Sequence, residues 1–397
     1  MADTVHSGRY GEKSLMEALS AAMEDLRLLR EPSALERVKR LIKRALGREV
    51  ADHDPVFWPA GLLMLGMDSV ADSYCRRYGF SSDIPVAVDR ALCEHFDNWL
   101  SADHGRLKHI DDVLSGVALM GLTDRLTAAR DCGGDRRGDP EDIRRHIERY
   151  RAAIDDMYGY CRSAPRDREG AIIYNPARNN RIFADGVGQT TLFLSRYVSF
   201  VTDGRARDDI VSGAAKAFTE ARDAMELAAT QLREFRRYGM DDRTGLPYHA
   251  YELGDNGTAA GLGIIGWGRA AGWLMMGLAG YLTCCPEPDE ELKGWYSKLR
   301  DDISSYRRED GLYPWALPCT AGPVDTSASA MIGWAIGNTE GTPAPEAIAS
   351  IERGYMSQGR VTGALSACED IAVHRQVYGH YPWGQGGYLM LVSVGDT

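Results

Sequence analysis

Apolar residues recur along this chain at intervals of three and four, the spacing that gathers them on one face of an α-helix. Stretches near residues 13–30, 33–46, 60–78, 84–101, 108–123, 140–162, 186–202, 206–238, 267–283, 288–306, 325–338 and 343–354 carry the pattern. Strand-type alternation of Val and Ile is short and rare, and no Pro/Ser linker divides the helical stretches. The pattern predicts an all-α fold in one domain spanning residues 1–397, its paired helices closed into a ring or stacked as a solenoid.

The connections differ in kind. Some are tight, such as "REPSA" at 30–34. Others are long and rich in glycine, aromatics and single charges: "DREGAIIYNPARNNRIFADG", "YGMDDRTGLPYHAYELGDNGTAAGLGIIGWGRAAGW", "REDGLYPWALPCTAGPVDTSAS" and "VYGHYPWGQGG". If helices alternate up and down, long loops at every second junction gather at one end, and long ordered loops usually carry function. Aromatic faces stack on sugar rings while a few polar groups fix hydroxyls, so that end is expected to bind a carbohydrate.

Composition narrows the classes. A formal net charge of −11 without a basic run excludes a nucleic-acid surface. The most apolar stretch, "GTAAGLGIIGWGRAAGWLMMGLAGYLTCC", holds Arg269 and many glycines, so a buried helix is expected there and no membrane span. The opening "MADTVHSGRYGEKSLMEALS" lacks an apolar h-region and a small-residue cleavage site, which predicts a cytoplasmic protein. Eight cysteines without CxxC spacing are expected to be reduced, buried thiols. No HExxH or EF-hand spacing occurs, and "GTAAGLGIIG" lacks the G-x-G-x-x-G spacing, so neither a metal nor a cofactor is expected. The serines of "DTSASA" read as a helix N-terminus capped by Asp325 or Thr326.

One carboxylate stands apart. In "FADGVGQTTLFLSRY", Asp185 sits between an aromatic and a long apolar helical run. It caps that helix, or it is kept partly dry for chemistry, and a cap can also do chemistry.

Several segments resemble, in order from about residue 107 to 335, those of the unsaturated rhamnogalacturonyl and unsaturated glucuronyl hydrolases, glycoside hydrolase families 105 and 88. They are "HIDDVLSG", "FADGVGQTTLFLSRY", "GLPYHAYE", "GWGRAAGW" and "DGLYPWAL…VDTSASAMIGWAI". The resemblance implies an (α/α)6 barrel of six helical hairpins. It implies Asp185 as catalytic acid/base and Asp111 as a second carboxylate facing the substrate. His249, Trp267, Arg269 and Trp273 fall on positions lining the site, with Arg269 either facing a uronate carboxylate or held in a wall salt bridge. Tyr174 and Asn175 stand where relatives carry a His-Lys pair, which implies a less positive aglycone end and a neutral or apolar leaving group. Trp315 and Trp383, with Tyr313 and His380, are aromatic-loop candidates for substrate contact or packing.

The implied reaction is hydration of a terminal unsaturated uronic acid. An acid protonates C4 of the C4–C5 enol ether, water adds at C5, and the hemiketal opens to release the aglycone. The paired-carboxylate spacing of ordinary glycosidases need not apply, and the acid needs a raised pKa, which burial and a second carboxylate supply. Alternatives are hydrolysis of a saturated glucuronide or small glycoside on the same barrel, or a non-catalytic carbohydrate-binding relative. The expected partner is an oligosaccharide or small glycoside, the chain acting as monomer or homodimer without nucleic acid or membrane.

Overall fold

Two classes of helix alternate along the chain, one amphipathic and one buried nearly all round, and their alternation builds the architecture. The structure, a computed structural model, describes residues 4–30, 54–132, 138–205 and 212–394. The amphipathic, outer helices are α1 (Thr4–Arg30), α3 (Asp83–Ala102), α5 (Pro140–Ser163), α7 (Ser212–Tyr238), α9 (Glu290–Ser304) and α11 (Pro345–Gly354). The inner ones are α2 (Trp58–Tyr78), α4 (Ser115–Asp131), α6 (Ala184–Arg205), α8 (Gly268–Cys284), α10 (Thr326–Glu340) and α12 (Pro382–Val392). Helix α5 buries Ile143, Ile147, Tyr150, Ile154 and Met157, a single stripe. Helix α8 is buried at every position from Gly268 to Tyr281, as a helix enclosed by neighbours must be.

Each inner helix packs on the next, and α12 returns to α2, so the inner layer closes into a ring: the fold is an (α/α)6 barrel of six helical hairpins. Ring closure needs close backbone approach. A Cβ on Gly66 of α2 would stand 2.3 Å from the Gly386 carbonyl oxygen of α12, and one on Gly386 would stand 2.2 Å from that of Leu62. No side chain fits at either place. At the far end, Arg125 of α4 bonds Asp68 (2.7 Å) and Asp72 (2.6 Å) of α2 and Asp89 (2.8 Å) of α3, tying three helices through one buried guanidinium.

The structure departs from the sequence-based expectations in three respects. The stretch 108–123 divides into a 3₁₀ turn, Ile110–Leu114, and then α4, because Asp112 bonds back to the Lys108 and His109 amides and breaks the helix there. Helix α12 was expected as loop; its glycines hide it from propensity, yet one of them, Gly386, is what lets it seat against α2. Cys132 and Cys319 are exposed, not buried. The stretches 33–46 and 206–211 lie outside the described residues. Among those described, no helix is long and apolar enough to cross a membrane.

Connections from inner to outer helices are short, as at 79–82, 285–289 and 341–344, whereas outer-to-inner ones are long, as at 164–180 and 239–267. Among the described residues, the long ones therefore meet at the N-terminal ends of the inner helices. Strands β1 (Arg181–Phe183), β2 (Ala250–Leu253) and β3 (Ala259–Leu262) form an antiparallel sheet across two of them. Two small hairpins follow α11: β4 (Met356–Ser357) with β5 (Arg360–Val361), and β6 (Ala364–Leu365) with β7 (Tyr378–Gly379). The second brackets an excursion, residues 366–377, that folds over the same end.

Candidate active site

The sheet register brings the first polar pair together. Phe183 of β1 pairs with Ala250 of β2, and the Ala184 amide donates to the His249 carbonyl at 2.9 Å. Asp185, second residue of α6, thus faces His249, with Nε2 to Oδ2 at 3.4 Å. Asp185 lies inside the first turn rather than ahead of it, and its Oδ2 has no hydrogen-bond partner. Burial works against the His249 imidazolium, but the facing Asp185 carboxylate and the Cys368 thiol outweigh it and raise its pKa to about 9. Phe183 and Trp267 enclose the ring, with centroids 5.2 and 4.5 Å away.

A second carboxyl stands behind this pair. Asp111, on the 3₁₀ turn, is fully buried; Tyr174 donates its hydroxyl to Oδ2 at 2.6 Å, and Oδ1 has no partner. Burial pushes the Asp111 pKa up to about 7, against the Tyr174 hydrogen bond and with the repulsion of Asp185. Burial thus favours the protonated form of this carboxyl well above the ordinary carboxylate range.

Arg269 proves to be a fastener. Its Nη1 and Nη2 donate to the Leu365 and Ser366 carbonyls at 2.7 and 2.9 Å, and Nη1 lies 3.7 Å from Asp325 Oδ2. The guanidinium carbon stacks near the rings of Trp58, Trp267 and Trp383 at 5.9, 4.9 and 5.5 Å. The excursion 366–377 is thereby pinned at its root over the cleft. It carries Cys368 and His374, and both His374 ring nitrogens are buried without partners. Burial, then repulsion from His249 and Arg269, lowers the His374 pKa to about 4, so its imidazole is neutral. As the sequence predicts, Asp325 caps α10, accepting from the Ser327 amide at 3.0 Å.

The cleft encloses about 340 Å³. Of the residues named from sequence, Tyr174, Asn175, Asp185, His249, Trp267 and Arg269 line it, and Asp111 sits behind Tyr174. Trp273, Trp315 and Trp383 do not. Trp273 is buried in α8, 6.2 Å from Trp58; Trp315 packs beside His374; Trp383 stacks on Tyr381 and donates to the Leu365 carbonyl at 3.0 Å. Lining residues that sequence reasoning passed over include Trp58, Gln189, Arg178, Arg181 and Cys368. Gln189, one turn beyond Asp185, was recoverable from helical spacing; Cys368 was not, since only the hairpin β6–β7 brings it over. Arg178, on the loop after Asn175, and Arg181, at the start of β1 and 3.5 Å from Glu252, also line the cleft.

Unpartnered buried atoms collect in this cleft: acceptors at Asp185 Oδ2 and Gln189 Oε1, donors at Trp267 Nε1, and His249 Nδ1. Buried polar atoms are normally bonded, so such a set fits a ligand with many hydroxyls. A larger cavity, about 550 Å³, opens at the C-terminal ends of α2, α4 and α6, but Arg125 and Arg196 there already pair with carboxylates. Among the described residues, no group of three or more His, Cys, Asp or Glu is arranged to hold a metal.

The profile of glycosyl hydrolase family 88 matches residues 144–364, from α5 to β6, taking in Asp185, His249 and Arg269. The chain belongs to that family. Family membership implies a carbohydrate substrate. Among solved structures, a possible member of family 105 from Salmonella enterica is 14% identical with a TM-score of 0.67, over 95% of this chain and 93% of that one. The unsaturated glucuronyl hydrolase of Bacillus sp. GL1, described as responsible for glycosaminoglycan degradation, is 16% identical with a TM-score of 0.60, over 97% and 98%. An alpha-1,6-mannanase from Salegentibacter is 12% identical with a TM-score of 0.52, over 85% and 88%. These likenesses concern the barrel, which hosts more than one reaction. No curated protein sequence matches the chain.

Proposed function

We propose that this family 88 member is a glycoside hydrolase that removes a terminal unsaturated uronic acid by hydrating its C4–C5 enol ether. The reading takes the whole chain as one catalytic domain with Asp185 as general acid and base. The observation that carries it is the cluster of a cleft-facing Asp185, His249 with its Nε2 3.4 Å away, and a fully buried Asp111 behind Tyr174 whose pKa burial raises. Such a cluster keeps a transferable proton beside the substrate at neutral pH.

Asp185 delivers a proton to C4, and positive charge develops on C5 and the ring oxygen. Water adds at C5 and returns its proton to the Asp185 carboxylate. The hemiketal then opens, the C–O bond to the aglycone breaks, and the aglycone leaves as an alcohol. His249, protonated below about pH 9, stabilises the Asp185 carboxylate that is left when the proton has gone to C4. Trp267, its Nε1 unpartnered, offers an aromatic wall and a donor to the sugar.

The test is loss of the ultraviolet absorbance of the conjugated enol-ether acid on incubation with lyase-generated disaccharides. Asp185→Asn should lower turnover by about two to four orders of magnitude with the fold intact, the range for losing a general acid. A variant turning over at the native rate refutes the assignment. Activity on an aryl glucuronide with none on unsaturated disaccharides favours the saturated-glycoside reading instead.

A further inference from the structure

Gln189 lines the cleft, is 1% exposed, and has no part in the chemistry above. It follows Asp185 by four residues on α6, so the two side chains share one face of the helix, roughly 5–6 Å apart at their Cβ atoms. A helical side chain leans toward the N-terminus of its helix, which for α6 is the cleft end, so the Gln189 amide is carried toward the turn of Asp185. That turn is clamped. A Cβ on Gly188 would stand 2.2 Å from the Trp273 carbonyl oxygen, so the backbones of α6 and α8 touch beside Gln189. The amide is in place before a ligand arrives, and ordering it on binding costs little.

What the amide lacks is a partner. Gln189 Oε1 is buried, and no donor among the described residues bonds to it. Trp267 Nε1, a buried donor of the same cleft, is unpartnered as well, so the fold does not close the two onto each other. A buried amide oxygen left bare is destabilising, and an apolar side chain of the same length would remove the penalty. The orphan atom is an acceptor, which narrows what can answer it. A uronate carboxylate only accepts and would meet Oε1 oxygen to oxygen, whereas a sugar hydroxyl donates to Oε1 and can still accept from a neighbour. With C4 of the unsaturated sugar at Asp185, the one hydroxyl on an adjoining carbon is that of C3, since C5 carries the ring oxygen and the carboxylate carbon.

Resting on the hydration reading, we propose that Gln189 accepts a hydrogen bond from the C3 hydroxyl of the unsaturated sugar and makes the site selective for sugars in which that hydroxyl is present and free. The probes are two saturated 4-deoxy-glucuronides, with and without the C3 hydroxyl, which lack the reactive double bond and report binding alone by calorimetry. The parent protein is expected to bind the hydroxyl compound about ten- to a hundredfold more tightly, the effect of one hydrogen bond whose loss leaves a buried acceptor bare. Gln189→Met, of equal length and without a strong acceptor, should bind both compounds alike, and its kcat/KM on an unsaturated disaccharide should fall by a similar factor. Its melting temperature should equal or exceed the parent's, because an unbonded buried group is gone; a merely structural glutamine would lower it when replaced. Equal affinities in the parent, a preference surviving Gln189→Met, or a lowered melting temperature overturns the proposal. A preference that Gln189→Met abolishes, in a protein that leaves unsaturated disaccharides unchanged, upholds the role of Gln189 and overturns the hydration reading alone.

Discussion

Asp111 is where structure and function pull hardest against each other. Its carboxyl is fully buried, with a pKa near 7 against an ordinary 3.8, a rise of about three units. At about 1.4 kcal/mol per unit, ionising it in the folded protein costs ~4 kcal/mol, an upper bound. The sign follows from linkage. The folded pKa is above the unfolded one, so folded protein binds more protons between them, and the stability present below about pH 4 is lost as pH rises through 7. Asn resembles the protonated acid, and its carbonyl can still accept from Tyr174. Asp111→Asn should therefore match the parent near pH 4 and exceed it by up to ~4 kcal/mol at pH 8. Urea midpoints at several pH values, each followed by fluorescence and circular dichroism, measure the difference. If the variant is equally or less stable at pH 8, Asp111 is not a carboxyl strained by burial. Turnover should fall in the same variant, since the second carboxyl of the proposed site is gone.

Arg269→Lys keeps a charge but loses the fork that holds the Leu365 and Ser366 carbonyls, so a stability loss of about 2–4 kcal/mol and faster proteolysis within 366–377 are expected; an unchanged melting temperature refutes the fastener role. Gly386→Ala forces a Cβ onto the Leu62 carbonyl and should cost roughly 3 kcal/mol or prevent ring closure, read by thermal unfolding. His380 is bonded to Asp25 at 2.7 Å; burial opposes its charge, but that bond raises its pKa. Its stabilising effect is thus full below its unfolded pKa, about 6.5, and lost as pH rises through the folded value. The difference in melting temperature between parent and His380→Gln should shrink from pH 5.5 to 8.5, and a constant difference contradicts it.

Helical spacing by itself determined the fold class, because a 3.6-residue stripe is a local signal that survives without knowledge of partners: the stripe of α5 and the capped start of α10 at Asp325 were legible as written. That Asp185, His249 and Arg269 share one cleft was legible too, through motifs at the starts of α6 and α8 and before β2. Helix α12 was not, since its glycines read as loop until the Leu62 carbonyl of α2 is placed 2.2 Å from where a Gly386 side chain would begin. Nor could spacing tell that Arg269 spends its donors on two carbonyls almost a hundred residues away, that Trp273 faces the core, or that Cys368 and His374 arrive over the cleft. Those are properties of what lies across the ring. A side chain's periodicity says which face it occupies, whereas its charge state and its partners depend on what the closed barrel sets opposite it, and only the tertiary structure decided that.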